Sequence, residues 1–172
     1  MSLVRAARPL RAWAWLGAPA LICVGLTALF AAPLRVVGLQ LPEPVFGLVL
    51  AFAWPIIRPS VLAPFALLAF GTFTDLYWGS PAGLWGVSLL VAYAAVLSVR
   101  GLMQGQSWRV SWMWFAAVSA LAMAMAYFLS VLTSLNAPNL IGVAWQYLAT
   151  IALYPFADRL IERFEDADVR FR

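Results

Sequence analysis

The sequence predicts an all-α integral membrane protein, a compact bundle of six transmembrane helices with both termini in the cytoplasm. Two observations carry this reading. Apolar residues make up 65% of the 172-residue chain and charged residues only 10%, where a soluble domain carries about 25% charged residues. When six apolar stretches are read as alternating crossings, ten of the eleven arginines fall on one side, as the positive-inside rule requires. Little chain is then left for a soluble domain, so function rests on helices in lipid, short loops and two tails.

The first apolar run covers about Trp13 to Ala32, after the basic tail Arg5-Ala-Ala-Arg8-Pro-Leu-Arg11. A basic start before an apolar run also suits a secretory signal peptide. The small residues needed at −3 and −1 of a cleavage site are missing, and Pro33 follows the best cut position. The run is therefore read as a retained helix over about 13–33, after a cytoplasmic tail at 1–12. The second stretch, Val45–Ile57, is thirteen residues and rises about 20 Å against a hydrocarbon core of about 30 Å. Charge decides its topology. If it crosses, only Arg35 is outside; if it does not, only the three N-terminal arginines stay inside. The expected span is about 41–57, with Leu41 lengthening it or the bilayer thinning around it.

The remaining expected spans are about 61–78, 83–99, 110–132 and 140–157, followed by a cytoplasmic tail at 158–172. Short connections with legible turn chemistry join them: Leu41-Pro-Glu-Pro44, Arg58-Pro59, Gly79-Ser-Pro-Ala-Gly83, Gly101 to Gly105, and Asn136-Ala-Pro-Asn139. Pro55 and Pro64 are expected to kink helices or occupy a first turn. Tryptophans 13, 15, 78, 85, 108, 112 and 114 lie near span ends, as an aromatic belt would place them. In the tail, Leu160, Ile161 and Phe164 share a helical face suited to a partner, to the membrane surface, or to a solvated segment.

Composition excludes several functions. Lysine and histidine are absent, and with histidine goes the commonest general base and metal ligand. The single cysteine, Cys23, makes no intramolecular disulfide and no recognisable metal site. The net charge of +4 does not indicate nucleic acid, because the arginines are scattered between apolar spans. They read as topology signals and as contacts to acidic membrane lipids. No catalytic residue, metal or cofactor is expected, and the chain is read as a non-enzyme.

Asp75, near the outer end of the third span, is the sharpest candidate for function. A carboxylate costs about 2.5–3.5 kcal/mol at mid-membrane on insertion scales, so a neighbour must pair or hydrate it. It is either a proton or cation relay or partner contact, or a cap on the following turn that also accepts bonds from Thr72 or Thr74. Arg58 lies at the far end of a helix about 25 Å long and cannot pair with it; Arg35 and Glu43 are nearer candidates. The segment from Gly79 through Pro81 to Gly83 reads as a tight helical-hairpin turn rather than a small-residue dimer motif. Ala116, Ala120 and Ala124 give the fifth span a small face, for packing within the bundle or for docking another membrane protein.

Phe65-Ala-Leu-Leu-Ala-Phe-Gly71-Thr-Phe-Thr-Asp75, followed by Gly79-Ser-Pro81-Ala-Gly83-Leu-Trp-Gly-Val-Ser-Leu-Leu, resembles the rod shape-determining protein MreD family. That family carries a glycine and an aspartate on one helix and then a Gly-x-Pro-x-Gly-like turn. Trp54-Pro-Ile-Ile-Arg58-Pro59 resembles its second span, and Tyr154-Pro155 with the charged tail resembles its end. The resemblance implies a non-enzymatic subunit of the cell-elongation machinery in the bacterial inner membrane. Such a subunit binds MreC and is linked indirectly to the MreB cytoskeleton, to the peptidoglycan polymerase RodA and to its transpeptidase partner; a homodimer stays open. The motif falls on Gly71, Asp75, Pro81 and Gly83, with no catalytic role for any of them. Related folds among substrate-binding subunits of vitamin transporters supply the alternative, a membrane-embedded solute-binding subunit. The polar groups for it are Arg35, Gln40, Glu43, Ser80, Asn136 and Asn139.

Overall fold

The computed structural model describes residues 13–30, 35–36, 39–40, 43–103, 105–134 and 138–169. The architecture is helical: α1 (Ala18–Phe30), α2 (Gly47–Ile57), α3 (Leu62–Trp78), α4 (Leu84–Met103), α5 (Trp108–Ser134), α6 (Leu140–Ile151) and α7 (Tyr154–Val169). A π-helical turn, Trp13–Gly17, leads into α1. Between α1 and α2, a two-residue antiparallel ladder, β1 (Arg35–Val36) and β2 (Leu39–Gln40), pairs Arg35 with Gln40 and Val36 with Leu39. Four segments are long and apolar enough to cross a membrane: Trp13–Phe30, Leu84–Met103, Trp108–Thr133 and Leu140–Phe164. This is the pattern of a membrane protein. The last segment joins α6 and α7 through a break at Ala152-Leu153, because Pro155 has no N–H to carry the helix on.

The shortest helix is the centre of the bundle. From Leu48 to Trp54 every residue of α2 is at most 5% exposed, and α1, α3, α4, α5 and α7 all pack around it. Apolar side chains all round a helix call for burial on every side, and here protein rather than lipid supplies the cover. Phe52 packs edge-on against Phe115 of α5 and Tyr154 of α7. The eleven-residue helix rises about 16 Å, roughly half a hydrocarbon core.

Helix α2 begins at Gly47, six residues after the start expected for the second span. Residues 43–45 are not helical, since Pro44 cannot donate to a helical ladder. The buried N–H of Val45 is instead bonded by the Thr150 hydroxyl at 3.0 Å. Irregular backbone at membrane depth is tolerated only where protein or a water-filled cavity covers it; Pro44, Val45 and Phe46 are all buried.

Prolines recur with aromatic donors. In an α-helix the carbonyl of residue i accepts the N–H of residue i+4, which a proline at i+4 cannot supply. Pro19 stands four residues after Trp15, and Trp54 Nε1 donates to the Trp15 carbonyl at 3.1 Å. Pro155 stands four after Ile151, and Trp112 Nε1 donates to that carbonyl at 3.1 Å. Pro64 stands four after Ser60, whose carbonyl accepts the Tyr93 hydroxyl at 3.3 Å. Each bond ties a helix to a neighbouring segment where the chain is irregular, and the Ser60 carbonyl also accepts the Ala63 N–H at 3.3 Å.

Two of the expected belt tryptophans are core residues: Trp15 and Trp85 are 3% and 6% exposed. The others named at α5's start behave differently, with Trp108 and Trp112 exposed. On α5, Ser119, Ala122 and Ala126 are buried while Ala120 and Ala124 are exposed, and the Ala116 carbonyl accepts the Tyr147 hydroxyl at 3.0 Å. Leu160, Ile161 and Phe164 on α7 pack against the core cluster or belong to it.

Candidate functional site: a carboxylate-clamped helical hairpin

The α3–α4 hairpin is the most tightly specified part of the chain. α3 ends because Gly79 takes the left-handed conformation, φ 65° and ψ 27°, and its N–H returns to the Asp75 carbonyl. The Ser80 N–H bonds the same carbonyl at 2.9 Å. This is the helix-ending pattern that glycine favours, because it carries no Cβ to clash. Gly83, at φ 88°, makes the second left-handed step and starts α4. The segment from Gly79 to Gly83 is therefore the turn between the two helices.

A helix start leaves its first N–H groups without intrahelical partners, and a side-chain oxygen usually caps them from the N-cap position. Gly83 has no side chain to do so. Asp75 supplies the cap from the preceding helix. Its Oδ2 accepts the Gly83 N–H at 2.8 Å and its Oδ1 accepts the Trp85 N–H at 3.0 Å. The residue is 2% exposed and sits at the positive end of the α4 dipole. One residue thus closes α3 through its carbonyl and opens α4 through its carboxylate.

Gly71 lies one helical turn before Asp75 and meets α4 directly. A Cβ at Gly71 would run into the Cα and N of Gly86 and lie 2.8 Å from the Trp85 carbonyl carbon. Only glycine permits this backbone approach. Thr72 and Thr74 do not serve Asp75: their hydroxyls bond the carbonyls of Leu68 and Ala69, and of Phe70.

The structure thus brings Gly71, Asp75, Gly79, Pro81 and Gly83 together, and adds Trp85, which the sequence reading placed only in the aromatic belt, and Gly86, which it did not single out. The signal for Gly86 was its spacing of three from Gly83 on an otherwise bulky helix start. Arg58 and Pro59 are elsewhere. Arg58 ends α2 in extended conformation and both residues are exposed. The side chain of Arg35 lies outside the described residues, as do Leu41 and Asn136.

Beside the turn, a cleft of about 210 Å³ lies between the hairpin, α5 and α6. Trp78 and Trp85 line it and meet edge to face, ring centroids 5.4 Å apart. The Trp78 indole N–H is buried, and the Glu43 carboxyl is the polar group within its reach. Among the described residues no group of three or more His, Cys, Asp or Glu is placed to hold a metal ion. With both oxygens of Asp75 engaged by backbone N–H groups, the arrangement fixes the relative position of two helices.

Fold and site together define a membrane-class helical bundle built round a half-length central helix and a carboxylate-clamped hairpin. No family model, curated protein or solved structure matches the chain.

Proposed function

We propose that this chain is a non-enzymatic inner-membrane subunit of the bacterial cell-elongation complex, one that controls cell shape and lateral peptidoglycan synthesis by binding an MreC-like partner. The observation that carries the proposal is the Asp75 clamp. The four residues on which the family resemblance rests, Gly71, Asp75, Pro81 and Gly83, sit in one rigid element whose polar groups are spent on shape. That suits a scaffold, where a fixed surface matters and chemistry does not. MreB, RodA and its transpeptidase then connect through the partner.

The proposal includes six crossings with both termini cytoplasmic. α1 with its leading turn, α2 with the buried segment before it, α3, α4, α5, and α6 with α7 are the six. In support, Arg100, Asp158 and Glu162 line one cleft with Ile56, Met103 and Trp108, which gathers the ends of α2 and α4, the start of α5 and the middle of α7 at one end of the bundle. A topology reporter in the loop at residues 36–44 is expected to read as periplasmic.

The test is depletion of the protein in its rod-shaped host. Cells are expected to swell and round; unchanged width, with no redundant copy in the genome, would sink the scaffold reading. Pro81→Leu is expected to reduce recovery of the partner from detergent extracts.

The solute-binding alternative draws on the cleft lined by Trp78 and Trp85. At about 210 Å³ that cleft is below the roughly 300–1,000 Å³ of small-molecule pockets, which favours the scaffold. A vitamin that raises the unfolding temperature of the purified chain in a saturable way would reverse this order.

A further inference from the structure

A long apolar groove runs along α1 on the side away from the hairpin. Its walls are α1 and α7 and its floor is α2 with the segment before it; α1 and its leading turn line it from Ala14 to Phe30. The sixteen helical rises between them make that about 24 Å. The groove holds about 690 Å³. An extended hydrocarbon chain matches it in length.

The lining is chemically lopsided. Ile22, Leu26 and Phe156 present hydrocarbon, while the one charged residue along the groove is Arg163 of α7. Arg163 is exposed. It lies three turns of α7 beyond Leu153, the first residue of the break to line the groove. The groove therefore offers hydrocarbon along its length and a guanidinium toward the end where α7 runs out of the bundle. A guanidinium matches phosphate oxygens in bidentate geometry.

We propose that this groove holds one anionic phospholipid, with an acyl chain laid between α1 and α7 and its phosphate on Arg163. The bound lipid fills the seam between α1 and α7. This inference rests on the membrane placement of the chain and is independent of the cell-shape reading.

The experiment uses the full chain in nanodiscs of mixed phosphatidylglycerol and phosphatidylcholine, doped with phosphatidylglycerol carrying a photoreactive diazirine on one acyl chain. Labelling is expected to concentrate on α1 and α7 peptides around Ile22 and Phe156, and to be competed by unlabelled phosphatidylglycerol but not by phosphatidylcholine. Arg163→Gln, a surface change, is expected to lower groove labelling at least fivefold. Ile22→Trp, which fills the groove and keeps the cation, is expected to do the same. Labelling spread evenly over the exposed faces of α3 and α5 would show boundary lipid only and overturn the proposal. So would labelling that Ile22→Trp leaves unchanged. If deleting residues 2–11 raises groove labelling several-fold, the chain's own N-terminal segment is the occupant and the lipid is not. Release of the protein from membranes by alkaline carbonate would instead remove the membrane placement itself, a separate failure from a membrane-held chain with an unlabelled groove.

Discussion

Trp54 donates its indole N–H to the carbonyl of Trp15, 3.1 Å away and 39 residues earlier in the chain. That carbonyl lies in the π-helical turn leading into α1 and stands four residues before Pro19, which has no N–H to offer it. A side chain at the centre of the bundle thus occupies a place that a proline leaves vacant at its edge. In lipid an unsatisfied carbonyl costs several kcal/mol, so proline and tryptophan are coupled.

Trp54→Phe is expected to lower stability by about 1–3 kcal/mol through the unsatisfied carbonyl, with some packing loss added. In a Pro19→Ala background the residue-19 N–H is available to the same carbonyl, and the loss should shrink. A double-mutant cycle by SDS titration in mixed micelles is expected to give a coupling of about 0.5–3 kcal/mol. Strict additivity would separate the two residues.

Gly71 and Gly86 face each other but should respond unequally. Gly71→Ala drives a Cβ into the α4 backbone, which cannot yield as a side chain does, so a loss of at least about 1–3 kcal/mol is expected. At Gly86 a Cβ would meet Leu68 Cδ2 at an ordinary 3.5 Å. Gly86→Ala should be neutral, or stabilise by up to about 1 kcal/mol through helix propensity. Thermal unfolding of the two variants in one detergent decides it.

Asp75→Ala leaves the Gly83 and Trp85 N–H groups without acceptors, and each orphaned group costs about 1–3 kcal/mol. Asp75→Asn keeps one carbonyl acceptor and should fall between Ala and the native residue. Hydrogen exchange at residues 83–86 is the direct readout. If Asn behaves as the native residue in both stability and partner capture, charge is dispensable and packing is the role of the site. If Asn folds as the native residue but abolishes function, the carboxylate does more than clamp.

Thr150→Val is isosteric but removes the acceptor of the Val45 N–H. A loss of about 1–3 kcal/mol is expected, along with faster exchange at residue 45, while Thr150→Ser should restore most of it.

The hairpin was legible because its determinants are local. Glycine at left-handed positions, proline in the turn and one carboxylate lie within about thirteen residues of each other along the chain, from Gly71 to Gly83. The capping alternative for Asp75 needed only that spacing. The half-length of α2 was not legible. Its start is set by Pro44 and by a hydroxyl 105 residues further on, and apolar composition alone cannot tell a helix wrapped in protein from one wrapped in lipid. Trp15 and Trp85 misled for a related reason, since closeness to a span end says nothing about which side of the helix a ring occupies. The Leu160, Ile161 and Phe164 face was visible, but its cover on the bundle was not, because helical periodicity identifies a face and leaves its partner open.

The burial of α2 has a consequence for how the chain is made. Val45 leaves the ribosome 105 residues before Thr150, an interval of about 5–20 s at ordinary synthesis rates. During it the central helix has α1 and, in turn, α3, α4 and α5 beside it, but neither Thr150 nor α7. The core of this protein is therefore its last part to close. The Val45 amide lacks its Thr150 partner until the C-terminal segment arrives, and a chain stopped before Tyr154 would carry an intact Asp75 clamp beside an unsealed centre.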